Sequence, residues 1–211
     1  TLSLWNLNPS KRSAACNKAA AVALLITWLS GARMVDCTRL RWEDFKIKRN
    51  ESGVFLTVTV RRSKGNVGKR PEKLTFLVVD DERLNILHVL KCFWRHKKQP
   101  ASGLLFSNDK NGKKFETCQL VRSIRNMAAF LGWPKSKWPQ AHTGRYCCVM
   151  ILLKLGVSAR FMKNFMRWAP TSEMPAHYQG TSMDTTDVGV PYRFGKILNS
   201  NAILEIQKDL V

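Results

Sequence analysis

The chain has 211 residues, 45% of them hydrophobic, which is enough to build a real core and excludes a disordered tail. Against 35 Lys and Arg stand only 15 Asp and Glu, a formal charge of +20. That excess is larger than solubility requires; it points to a polyanionic partner and away from neutral scaffolds.

In chain order, Asn8-Pro9-Ser10 signals a helix start, and Ser13 to Leu29 is rich in Ala and Leu with Gly31 placed to end it. At about 11 residues the apolar run Ala19–Leu29 is too short to cross a bilayer, and no small-residue cleavage site follows it, so it reads as a buried helix. Ala32 to Leu40 is spaced for a short helix, and Trp42-Glu43-Asp44-Phe45 leads into a change of period. Val54 to Val60 alternates and is β-branched, with Lys73 to Val79 as its expected partner strand. Between them, Arg61 to Arg70 reads as a hairpin end, with glycines for the turn and five cations at the tip. Helix is expected again from Asp80-Asp81 to Lys97. A loop follows over Pro100 to Gly112, around a short Leu104-Leu105-Phe106 segment. Further helices are expected over Thr117–Leu131, His142–Leu155 and from Ser158 to Phe165. Pro170 and Pro175 break the chain before Tyr178, and residues 196–211 suit a last amphipathic helix. The expected fold is mainly α with a small antiparallel β-sheet, in a single domain over 1–211 with no linker and no repeat.

The six cysteines show no C-x-x-C pair and several sit in apolar helical patterns, which fits a reduced intracellular protein. The four histidines, at 88, 96, 142 and 177, have no zinc-ligand spacing. The charge is unevenly spread. Residues 46–73 hold nine basic and two acidic residues, residues 110–167 hold twelve basic and the single acid Glu116, and residues 171–190 hold three acids and no Lys or Arg. Cations interleaved with apolar residues line a folded surface rather than a tail, and the usual target of such a surface is a nucleic-acid backbone.

His142-Thr143-Gly144-Arg145 places an imidazole and a guanidinium one helical turn apart. Trp168 follows in Arg167-Trp168-Ala169-Pro170, and Tyr178 comes ten residues later. Upstream, Ser30-Gly31-Ala32-Arg33-Met34-Val35-Asp36 puts an arginine just past a helix end, with Leu40, Trp42 and Asp44 beyond it, and the hairpin supplies Lys64. This set resembles the catalytic domain of tyrosine recombinases, the integrase-like site-specific DNA recombinases that share a fold with type IB topoisomerases. The family's first box, T-G-x-R-x-x-E then L-x-W-x-D, is matched around Arg33 and Trp42, with Asp36 where Glu is usual. Its second box, H-x-x-R, then His or Trp, then Tyr, is matched by His142, Arg145, Trp168 and Tyr178. The resemblance covers nearly all of the chain. Arg167 stands where the family often has Gly, and the two prolines make the segment before Tyr178 unusual.

The resemblance implies a catalytic set of Arg33, Lys64, His142, Arg145, Trp168 and Tyr178, with Lys69 the alternative to Lys64, and no metal or other cofactor. Tyr178 would form a covalent 3′-phosphotyrosine. Arg33 and Arg145 would clamp the scissile phosphate as planar bidentate donors, and Asp36 would orient Arg33. Lys64 would protonate the leaving 5′-oxygen, His142 would bond the phosphate or take the tyrosine proton, and Trp168 would buttress the pocket. The expected partners are double-stranded DNA and further copies of the chain, as a tetramer on two DNA sites, with the helix at 196–211 docking on a neighbour or folding back. The family's N-terminal core-binding domain has no counterpart here. The diverged boxes suggest a eukaryotic mobile-element member of the crypton or DIRS-like kind, acting in DNA integration or excision, in the nucleus if eukaryotic and in the cytoplasm or nucleoid if prokaryotic. Two other readings share the basic surface: a DNA-binding module that has lost catalysis, and type IB topoisomerase-like relaxation.

Overall fold

The computed structural model describes residues 11–51, 53–61, 71–80, 84–98, 100, 102–108 and 111–175. Helix α1, Lys11–Ser30, is the centre of the packing. Ala19, Ala20, Val22, Ala23 and Ile26 are fully buried on one side and Ala21 and Leu25 are buried on the other, so the helix is covered around its circumference rather than along one stripe. The short helix α2, Met34–Cys37, follows it, and a 3₁₀ turn at Trp42–Asp44 leads into the sheet. Helices α3 (Ile86–His96), α4 (Thr117–Phe130) and α5 (Thr143–Lys154) pack against α1, and α6 (Ala159–Met166) packs on α5.

Small residues let α5 lie close to α1. A Cβ added at Gly144 would sit 2.0 Å from Thr27 Oγ1 and 3.1 Å from the Leu24 carbonyl oxygen, so only glycine permits this approach. Local chemistry fixes the helix starts. The Asn85 side chain accepts from the His88 N–H at 2.9 Å to begin α3, and the Ser158 hydroxyl accepts from the Phe161 N–H at 3.2 Å to begin α6. The Gln119 side chain accepts from the Glu116 N–H at 2.8 Å at the head of α4. Along α4, Leu120, Val121, Ile124, Met127 and Ala128 form the buried face.

Strands β1 (Phe45–Asn50), β2 (Gly53–Val60) and β3 (Glu72–Leu77) form an antiparallel sheet in that order. The register pairs Phe45 with Val58 and Thr57 with Thr75. Leu56, Val58 and Val60 turn one face of β2 into the core, and the hydroxyls of Thr57 and Thr75 meet across the strands at 2.9 Å.

The helices expected within the described residues are present with shifted ends, and α3 starts at Ile86 rather than at Asp80-Asp81, where the Asn85 cap sets it. The sheet has a third strand, β1, that the alternation of Val54–Val60 and Lys73–Val79 did not reveal. Its residues after Phe45 are all exposed, so it pairs through its backbone without a buried face to mark it. The loop after α3 is tied to the rest by a bridge between Arg41 and Leu104 and closes on itself through one between Ser107 and Lys114, and it buries Leu105 and Phe106 completely. All six cysteines are free thiols. Among the described residues no helix is long and apolar enough to cross a membrane. The helix expected over 196–211 lies outside the described residues.

Candidate functional site

Three stretches of chain meet at Gly31: the end of α1, the first turn of α5 and the end of α6. Gly31 has φ of 62°, and a Cβ there would lie 2.5 Å from Met166 Sδ and 3.5 Å from Cys148 Sγ. Its handedness therefore calls for glycine, and a side chain there would also have to displace the end of Met166. Arg145 closes the junction. It is only 3% exposed; one terminal nitrogen donates to the Gly31 carbonyl and the other to the Met166 carbonyl at 2.7 Å. Its guanidinium lies 5.5 Å from the centre of the Trp168 ring, a cation–π contact. Trp168 is half-buried and packs on the cluster of Cys148, Val149, Leu152, Met162 and Met166.

Two residues after Gly31, Arg33 is the N-cap of α2 in an extended conformation, half-buried, with its carbonyl accepting from the N–H groups of Asp36 and Cys37 at 3.0 and 3.2 Å. Asp36 is 2% exposed, and neither carboxylate oxygen has a hydrogen-bond partner among the described residues. Burial pushes its carboxyl pKa up. The charges of Arg33 and then Arg167 pull against that rise, followed by the Arg33 backbone and by the charge of Arg145. Thus the arginines of both sequence boxes act on one buried acid. The neighbouring thiols are inert by burial: Cys148 is pushed up to about 12 and Cys37 is raised as well.

His142 is the exposed N-cap of α5, and Arg145, three residues on, is buried; the pair is one turn apart but in different surroundings. Lys64, Lys69 and Tyr178 lie outside the described residues. What is described beside the hairpin is its base. Arg61, next after β2, donates to Asp44 Oδ1 at 2.7 Å, and the Arg41 N–H donates to the other oxygen of Asp44 at 2.9 Å. The rest of the L-x-W-x-D box is structural too. Trp42 packs on Phe93 with ring centroids 5.9 Å apart, and Glu43 accepts from Arg41 Nε at 2.6 Å and from the Gly103 N–H at 3.0 Å. Its own backbone N–H first and then Arg41 hold the Glu43 carboxyl down at about 2.

Arg167 is the member of this cluster that the motif reading did not assign. It ends α6 in the left-handed region, and its Nη2 donates to the Gly31 carbonyl at 3.3 Å. The signal was its place in a pattern that usually carries Gly. Among the described residues no group of three or more His, Cys, Asp or Glu is placed to hold a metal ion.

No family model and no curated protein matches the sequence. Solved structures do match the fold. The XerH site-specific recombinase bound to difH substrate, in a pre-cleavage complex, superposes with a TM-score of 0.64 at 16% identity, over 84% of this chain and 46% of that one. The FLP recombinase in a Holliday-junction complex gives 0.56 at 15% identity, over 89% and 46%. XerA recombinase gives 0.53 at 15% identity, over 93% and 62%. The chain thus spans about half the length of the first two. Its fold, mainly helical with a three-stranded antiparallel sheet, is that of tyrosine recombinase catalytic domains. The crypton or DIRS-like affiliation draws no support from these likenesses.

Proposed function

We propose that the chain is the strand-cleaving domain of a site-specific DNA recombinase that works through a covalent 3′-phosphotyrosine at Tyr178. The observation that carries this reading is the convergence at Gly31 of Arg33, Arg145 and Trp168, from separate stretches of a chain with a formal charge of +20. The similar XerH and FLP structures hold difH substrate and a Holliday junction, which supports double-stranded DNA as the ligand here.

In this reading the Tyr178 hydroxyl attacks the scissile phosphorus and gives its proton to His142. The bond to the 5′-oxygen breaks, and that oxygen takes its electron pair and a proton from Lys64, or from Lys69. Arg33 and Arg145 offset the charge growing on the non-bridging oxygens. Asp36 and Trp168 hold those arginines in place. The energy of the broken bond stays in the phosphotyrosine, so a 5′-hydroxyl of a partner strand reseals it by the reverse attack, and neither a nucleotide nor a metal ion is needed to drive the cycle. A tetramer on two DNA sites, in integration or excision of a mobile element, is the setting in which such exchange is productive.

The test is a pool of nicked duplexes of randomised sequence, in which the short cleaved strand diffuses away and traps the intermediate. A protein band shifted by bound DNA on a denaturing gel is expected, and its absence across the pool counts against the reading. The second reading, a DNA-binding module without catalysis, is favoured by the burial of Arg145, whose guanidinium is engaged by the Gly31 and Met166 carbonyls. It gives the same salt-dependent DNA binding with no covalent band.

A further inference from the structure

Arg167 stands where an arginine is strained. It caps α6 with φ 55° and ψ 43°, the left-handed region that glycine enters freely and a residue with a Cβ does not. Among the described residues only Lys98 shares this condition outside glycine. A side chain kept at such a position has a compensating contact, and here it is specific: Arg167 Nη2 reaches the Gly31 carbonyl that Arg145 also reaches.

A carbonyl oxygen has two lone pairs. One donor leaves the peptide able to swing about that contact, whereas two donors from different elements fix its plane. The peptide in question opens the non-helical step Gly31-Ala32-Arg33 between α1 and α2, so its orientation sets where Arg33 begins. The same peptide lies over Cys148, which is 1% exposed.

We infer that Arg167 is a positioning residue for Arg33: from the left-handed end of α6 it braces the Gly31 carbonyl opposite Arg145, and so fixes the step that delivers the Arg33 guanidinium to the phosphate. This rests on the strand-transfer reading above. It explains why the Gly common at this point of the family pattern is replaced here without loss of the turn, since the left-handed turn remains and the guanidinium adds a brace.

Arg167→Gly is the informative variant, because glycine suits the backbone and the fold is kept. Two readouts are compared in the full chain. In the first, native alkylation by iodoacetamide is followed by peptide mass spectrometry, with exposed Cys118 as internal standard. Loosening of the Gly31 step raises Cys148 labelling at least about tenfold relative to Cys118, since local opening governs access to a buried thiol. In the second, the single-turnover rate of covalent adduct formation falls at least about tenfold while DNA affinity is kept, as a displaced phosphate clamp predicts. Arg167→Lys keeps the charge without the planar fork and falls between the two. Either readout within about twofold of the parent overturns the inference, as does a loss of DNA affinity in step with the rate. If the parent itself forms no adduct, the strand-transfer reading fails and Cys148 labelling alone decides whether Arg167 braces Gly31.

Discussion

Two buried aspartates eight positions apart in sequence meet arginines in opposite ways. Asp44, at the base of the hairpin, is fully hydrogen-bonded, with one oxygen on Arg61 and the other on the Arg41 backbone. Asp36, beside Gly31, has no hydrogen bond among the described residues, yet it feels Arg33, Arg167 and Arg145. A satisfied buried carboxylate ties two pieces of chain together. An unsatisfied one surrounded by guanidinium groups does little for cohesion, and its burial is a cost that folding alone does not require. Such an acid fits a pocket built to hold cations in place for an incoming anion.

The largest expected effect comes from breaking the Gly31 junction itself. Arg145→Ala removes the buried donor to the Met166 carbonyl, leaves the Gly31 carbonyl to Arg167 alone and takes one of three guanidinium charges from Asp36, and a loss of about 4 kcal/mol is expected in chemical denaturation. A loss below about 1 kcal/mol would mean that Arg145 is not holding these elements together. Next is Gly31→Ala, which places a methyl against Met166 Sδ in a left-handed conformation; about 3 kcal/mol is expected from strain and overpacking combined. Asp44→Ala strands the Arg61 guanidinium, which is half exposed and can be rehydrated, so about 2 kcal/mol is the expected cost.

The smallest effect carries the sharpest contrast. Asp36 has a folded-state pKa above its ordinary value, so the folded state binds more protons than the unfolded one between those two values. Its burial penalty is absent below the ordinary carboxylate range and grows as pH rises through the raised pKa. Glu43, held down at about 2, has the opposite sign: its stabilisation is present above 4.5 and is lost as pH falls toward 2. Asp36→Asn is therefore expected to raise stability slightly at neutral pH and flatten the fall above pH 4, while Glu43→Gln flattens the acid limb. Melting temperatures of both variants across pH 2 to 8 check this, and identical profiles would remove the contrast.

Legibility in the sequence followed burial. The α1 and α4 segments were readable because their apolar residues are core. Strand β1 was not, because Lys46, Lys48 and Arg49 pair by backbone alone and leave no alternating buried face. For the site, Arg33 and Arg145 stood out through the two boxes, and Gly31 through its place after the helix. Nothing in the pattern indicated that Arg145 shares the Gly31 carbonyl with Arg167, since the Arg167 contact joins residues 136 positions apart and depends on a left-handed turn that periodicity does not register. The one-turn spacing expected of His142 and Arg145 is present, but helix capping leaves the histidine exposed while the arginine is buried.

The most direct test of the central claim, that these arginines serve a phosphate attacked by Tyr178, is to digest the trapped protein–DNA adduct and locate the modified residue by peptide mass spectrometry. A nucleotide on Tyr178 is expected, and no adduct from Tyr178→Phe, with DNA binding retained. A nucleotide on Tyr146 or Tyr192, or an adduct that persists in Tyr178→Phe, would contradict it.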